Sequence, residues 1–229
     1  MNLKDIKTYV LHYKKLVDRK AFTQMQLEKL GINPEWILDF DAEELTDEII
    51  NEFYKHDVEE GFRRVRPLWP INQHNPRKLN SPEISLTIKH IVTLDKISKS
   101  NDDISLVLED DCLFCNDFET SFNELLESTP DDWDVIHIGD GFGMKPEKYK
   151  SSFSDKVYLM HHPASRCTEA ILFKKSAAQK IVSTMKPFCL MVDWEMAYQY
   201  SLHNLNVYWW QPAPITQASH KGIFRSSLR

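Results

Sequence analysis

The chain has 229 residues, 42% of them hydrophobic and 11% aromatic, which is enough for one substantial core. A formal net charge of −6 offers no global attraction to nucleic acid or to an anionic membrane. No apolar run reaches the roughly 18–20 residues of a membrane span and Met1–Lys7 lacks a signal-peptide core, so the expectation is a cytoplasmic protein or a soluble domain of a larger one.

Thr8-Tyr9-Val10-Leu11 reads as a first strand, followed by a helix from Asp18 to about Leu30 that Gly31 stops. In an α/β sheet that order puts His12, Lys14 and Arg19 on the ligand-binding rim, although plain surface charge uses the same residue types. Trp36-Ile37-Leu38 is a second strand, and Asp47–Tyr54 is a helix in an acidic stretch. Residues 61–80 carry Pro67, Pro70 and Pro76 among arginines and read as an irregular loop inside a single domain spanning 1–229. Ser81-Pro82-Glu83 reads as a capped helix start, with Ile84, Ile88, Ile91 and Leu94 as its core stripe and Lys89 and His90 off it.

Ile104–Asp111 is the stretch around which the rest is organised. Its apolar body reads as a buried strand, and Glu109, Asp110 and Asp111 follow at once. If the backbone stays extended, Glu109 and Asp111 project to one side and Asp110 to the other. Carboxylates about 4 Å apart repel by roughly 1 kcal/mol in water and by several times that in protein, so something must offset the charge. A hard divalent cation bridging to a phosphate does so; a solvated acidic turn with its charges apart is the bland alternative.

A helix over Asp117–Glu127 follows, burying Phe118, Phe122 and Leu125, and then a strand at Trp133–Ile138. Gly139-Asp140-Gly141-Phe142-Gly143 reads as a flexible rim beside a pocket, and residues 144–156 as polar and mobile. Val157–Met160 and Ala170–Phe173 are strands, and Ser176-x-x-Gln179 a capping box for a helix to about Met185. Asp193 opens another helix, either as its cap or as a catalytic or acceptor-binding carboxylate. Asn206–Trp210 is a late strand, and the basic tail over 217–229 either closes over a diphosphate or frays. The pair Cys112-x-x-Cys115 has neither a second CxxC nor an HxxxH partner, so reduced, partly buried thiols are expected.

In this order the residues resemble glycosyltransferase family 25, the lipopolysaccharide and procollagen galactosyltransferase type. Tyr9–Arg19 is similar to the family's opening YVINLKRRxDR, and Glu83-Ile84 with His90 to its EIxCxxSH helix. Leu106–Asp111 matches its LVLEDD, Asp132-Trp133-Asp134 its DWD, and Val192-Asp193 and Val207-Tyr208…Pro212 its later pieces. The chain departs at His12, Pro82 and Lys89, where the family has Asn, Gly and Ser.

The resemblance implies an α/β fold of the GT-A type, a mostly parallel central sheet flanked by helices. It also implies transfer of a hexose, galactose or glucose, from a UDP-sugar to a glycan or glycoprotein hydroxyl, with Mn²⁺ or Mg²⁺. Asp111, with Glu109 or Asp110, would hold the metal, joined by His220 from the tail. Asp193 would act as base, with Asp140 its substitute, and His12, Arg19, Lys89, His90 and Asp110 would meet the donor. A glycan-binding or adhesion module of the same family without transfer, and a metal-dependent phosphohydrolase, are the competing readings.

Overall fold

The computed structural model describes residues 3–68, 75–146, 150–152, 155–160 and 166–225. Its strands are β1 (Lys7–Leu11), β2 (Glu35–Ile37), β3 (Ile104–Glu109), β4 (Cys112–Phe114), β5 (Val135–His137), β6 (Lys150–Ser152), β7 (Val157–Met160), β8 (Ala170–Lys174), β9 (Val207–Trp210) and β10 (Ile215–Gln217). Its helices are α1 (Val17–Lys29), α2 (Asp47–Phe53), α3 (Val58–Val65), α4 (Ser81–Lys99), α5 (Phe118–Ser128), α6 (Lys175–Thr184) and α7 (Val192–Leu202). Among the described residues no helix is long and apolar enough to cross a membrane.

The central sheet runs β2-β1-β3-β8-β5-β9-β7-β6. The pairs β1–β2, β1–β3 and β5–β9 are parallel, while β8 and β7 run against their neighbours, so most strands share one direction. This is the mostly parallel α/β sheet that the family resemblance implies, with β8 and β7 as its antiparallel members. Alternation along β3 sends Val107 to one face and Leu106 and Leu108 to the other. The first face is packed by Ile84, Ile88 and Ile91 of α4 with Ile181 and Met196, and the second by Leu27 of α1 with Phe118 and Phe122 of α5. Gly31 ends α1 at φ +69°, where its own N–H and that of Ile32 reach back to the Glu28 and Leu27 carbonyls.

Several expectations need correction. The stretch expected to be irregular over 61–80 begins inside α3, which Asp57 caps by accepting from the Glu60 N–H at 3.0 Å, and which Glu60–Arg64 braces at i,i+4. Residues 75–80 are coil, and 69–74, with Pro70, lie outside the described residues. The cap of α4 is Asn80, one residue before Ser81. No capping box forms at Ser176-x-x-Gln179, because the N-cap is Lys174. Met191 caps α7, so Asp193 is not its cap.

Part of the polar stretch 144–156 forms β6; the rest of that expectation falls partly outside the described residues. The tail is not wholly frayed, since β10 pairs antiparallel with β4 and residues up to 225 fold back on α1. Lys89 and His90, expected off the core stripe of α4, are both buried.

Candidate active site

Strand β3 stops at Glu109, and Asp110 and Asp111 turn away from the ladder, so simple alternation does not govern the three acids. Leu11 pairs with Glu109 across the parallel β1–β3 ladder, which brings His12 beside Asp110. His12 Nδ1 lies 2.7 Å from Asp110 Oδ2, and Arg19 Nη1 donates to Asp110 Oδ1 at 3.1 Å. Thr23 Oγ1 also donates to the Asp110 carbonyl at 2.8 Å. Asp110 is therefore a hub that binds strand, turn and helix together, its charge met by a guanidinium.

The other two acids are less compensated. Asp111 is buried, its Oδ1 has no hydrogen-bond partner among the described residues, and Arg19 stands 3.7 Å from its Oδ2. Burial first, and then the Glu109 charge, push its carboxyl up to about 6. Glu109 accepts from Thr168 Oγ1 at 2.7 Å, with His90 Nε2 behind it at 3.6 Å. Across the gap Asp193 projects from the first turn of α7, and burial and Glu109 push its carboxyl up to about 7.

Glu109, Asp110, Asp111 and Asp193 line one cavity of about 290 Å³. His12, Arg19 and Lys89 share its wall, and Phe142, Ser219 and His220 close another side. His220 lies tilted against Phe142 of the glycine-dense loop, and burial lowers its pKa, which favours the neutral, ligand-capable imidazole.

Lys89 reaches the cavity, but its ammonium lies 2.8 Å from Asp41 Oδ1 and donates to the His12 and Ile37 carbonyls at 2.8 and 3.5 Å. Its three protons are thus engaged by protein. His90 and Asp140 do not line the cavity. His90 is fully buried, and the Asp140 Oδ1 has no partner among the described residues. The described cysteines are all free thiols, and Cys112 donates from Sγ to the Glu169 carbonyl.

Sequence reasoning missed the segment Arg166–Glu169. Because β8 runs antiparallel to β3, the residues just before β8 lie against the acids that end β3. Arg166, nearly fully buried, donates to the Asp140, Trp210 and Met144 carbonyls and to Gln211 Oε1. Glu169 Oε1 accepts the Gly141 N–H at 2.7 Å, and a Cβ on Gly139 would collide with the Glu169 carboxyl. The visible signal was a run of polar residues abutting an apolar strand; strand direction, which gives it meaning, is not local.

Whether the acids suit a divalent ion can be tested on their own chemistry. Among the described residues no three His, Cys, Asp or Glu side chains form a ready metal cage. Mg²⁺ and Mn²⁺ do not need one, since one or two carboxylates and substrate phosphate oxygens suffice. Asp111, with an unpartnered oxygen and an uphill charge, fits that requirement.

Carboxylates gathered at the end of a central strand, around a half-open cavity, define a ligand-binding α/β enzyme domain, and the sequence narrows the class to a glycosyltransferase. The family profile described as glycosyltransferase family 25 (LPS biosynthesis protein) matches residues 5–196, and the chain belongs to that family. A crystal structure of an active-site mutant of LgtC is similar over 89% of this chain and 72% of its own, at 13% identity and a TM-score of 0.41. A search of curated proteins finds no significant match.

Proposed function

We propose that this family 25 glycosyltransferase moves a hexose, galactose or glucose, from a UDP-sugar to a hydroxyl of a glycan or glycoprotein, with inversion at the anomeric carbon. The observation that carries the reading is the division of labour among the acids. Asp110 is hydrogen-bonded to His12 and paired with the Arg19 guanidinium, whereas Asp111 and Asp193 share the same cavity without a full countercharge.

Asp111, with Glu109 and His220, would hold Mn²⁺ or Mg²⁺ at the donor diphosphate. Bound there, the cation supplies Lewis-acid compensation for the charge gathering on departing UDP. The chain's own groups do the rest. Arg19 and His12, fixed by Asp110, form the donor wall, and Lys89 and His90 hold that wall from behind. Asp193 takes the proton of the acceptor hydroxyl as the acceptor oxygen bonds to the anomeric carbon and the bond to UDP breaks. A carboxylate whose pKa is lifted to about 7 suits that task, and its place on the cavity supports it over Asp140.

Titration of UDP, and then of a panel of UDP-sugars, with and without Mn²⁺ tests the reading. Metal-dependent binding and slow hydrolysis of one donor are expected, and Asp111→Asn should weaken metal-dependent UDP binding by about tenfold or more, the loss of one charged contact. Unchanged affinity in Asp111→Asn removes the assignment. Glycan binding without turnover of any donor would mark a binding module instead.

A further inference from the structure

The proposed base has one side-chain tether among the described residues. Among the described residues, Thr168 alone offers a hydrogen bond to the Asp193 carboxylate, with Oγ1 3.3 Å from Oδ1, and the same hydroxyl lies 2.7 Å from Glu109 Oε1. We propose that Thr168 is a positioning residue of the transfer, its hydroxyl bridging Glu109 to Asp193 so that the base faces the acceptor hydroxyl. This rests on the reading of Asp193 as the base.

The bridge is built to be rigid. Thr168 is 2% exposed, and its β-branched side chain has few rotamers to visit. On one side of it Cys167 adopts φ +56°, a left-handed conformation that a cysteine takes only when its surroundings fix it. Before that, Arg166 is pinned by its four acceptors. On the other side the Glu169 carbonyl accepts the Glu109 N–H at 2.9 Å, locking the segment to the strand that carries the acids. A backbone fixed on both flanks serves to place the one polar atom between them.

A hydroxyl has one proton and two lone pairs, so it cannot donate to both carboxylates at once. While Asp193 is ionised the hydroxyl donates to its Oδ1, and the remaining Asp193 oxygen is kept for the acceptor proton. Once that proton has moved, the hydroxyl turns to Glu109 Oε1 and the protonated Asp193 donates to Thr168 Oγ1. The bridge therefore orients the base before the transfer and stabilises its protonated form afterwards, with no proton gained or lost by Thr168.

The test uses the donor that turns over in the panel above and measures kcat and donor KM separately. Thr168→Val keeps the shape and removes the hydroxyl; Thr168→Ala, which leaves a gap rather than a clash, is run beside it should the valine variant not fold. Loss of orientation should lower kcat by about 30- to 100-fold while donor KM moves less than about threefold. Thr168→Ser should recover kcat to within about fivefold, since the hydroxyl returns. Asp193→Asn and Thr168→Val combined should be no slower than Asp193→Asn alone, because both act on one group.

Unchanged kcat in the valine or alanine variant overturns the inference and leaves the donor reading intact. Additive losses, or parallel loss of kcat and donor affinity without rescue by serine, assign Thr168 a purely structural role and overturn it too. Full turnover by Asp193→Asn removes the base assignment, and this inference with it. Absence of turnover with every donor of the panel removes the transferase reading itself.

Discussion

Glu169 shows what a single buried acid does to the behaviour of the whole chain. Its side chain is fully buried, Oε1 accepts from Gly141 and Oε2 has no partner among the described residues. Burial first, with help from Glu109 and Asp140, pushes its carboxyl up to about 8, against the pull of the Gly141 N–H. Between about pH 4.5 and 8 the folded protein therefore holds a proton that the unfolded chain has released. Stability falls as pH rises through that window and levels off above it, by an amount on the order of 5 kcal/mol. Glu169→Gln imitates the protonated acid and keeps the acceptor for Gly141. The two proteins should unfold at similar urea concentrations at pH 5, with the glutamine variant clearly more stable at pH 8. A gap that does not change with pH would mean that Glu169 stays ionised in the fold.

At the scale of elements, the start of α4 illustrates both what the sequence discloses and where it is ambiguous. Asn80 Oδ1 accepts the Glu83 N–H at 2.9 Å, and Glu83 Oε2 accepts the Asn80 N–H at 3.0 Å, with Arg77 closing on the same carboxylate. Asn80→Ala should cost about 1 kcal/mol in chemical denaturation and Ser81→Ala only a few tenths. Equal losses would return the cap to Ser81. Asparagine and serine are both good caps, so local sequence could not choose between neighbours. The stripe Ile84, Ile88, Ile91 and Leu94 and the apolar body of β3 were legible because burial imposes a period on them. Helix α3 was not, since Gly61 inside it and the prolines beyond mask a short helix held by side-chain pairs. Nor was the β10–β4 pairing, in which two three-residue strands about a hundred positions apart carry no period of their own. The acids themselves stood out, yet Thr168 and Glu169 did not, because their role depends on β8 running against β3.

On the scale of the molecule, the candidate site is a seam where the two ends of the chain meet its middle. Pairing of β10 with β4 brings the tail to the acids, and the Ala218 N–H donates to the Asp111 carbonyl at 2.7 Å. From there the chain carries Ser219 and His220 onto the cavity and Phe224 onto α1. The Phe224 ring meets Phe22 edge-on at 5.4 Å and covers the Arg19 guanidinium at 5.7 Å, while Arg19 Nη2 donates to the Arg225 carbonyl. Arg19 is thus held from one side by Asp110 and from the other by the tail, which keeps the cation of the proposed donor wall in place without immersing it in solvent. A cation–π contact is worth about 0.5–1 kcal/mol at exposed sites and more when desolvated. Phe224→Ala should accordingly weaken metal-dependent UDP binding by about three- to tenfold, the equivalent of roughly 0.7–1.4 kcal/mol, while Phe224→Leu, which keeps apolar cover but no ring face, should fall between. Calorimetric titration of UDP into the three proteins reads this directly. Equal affinities would show that the tail only shields the site, and that Asp110 suffices to set Arg19.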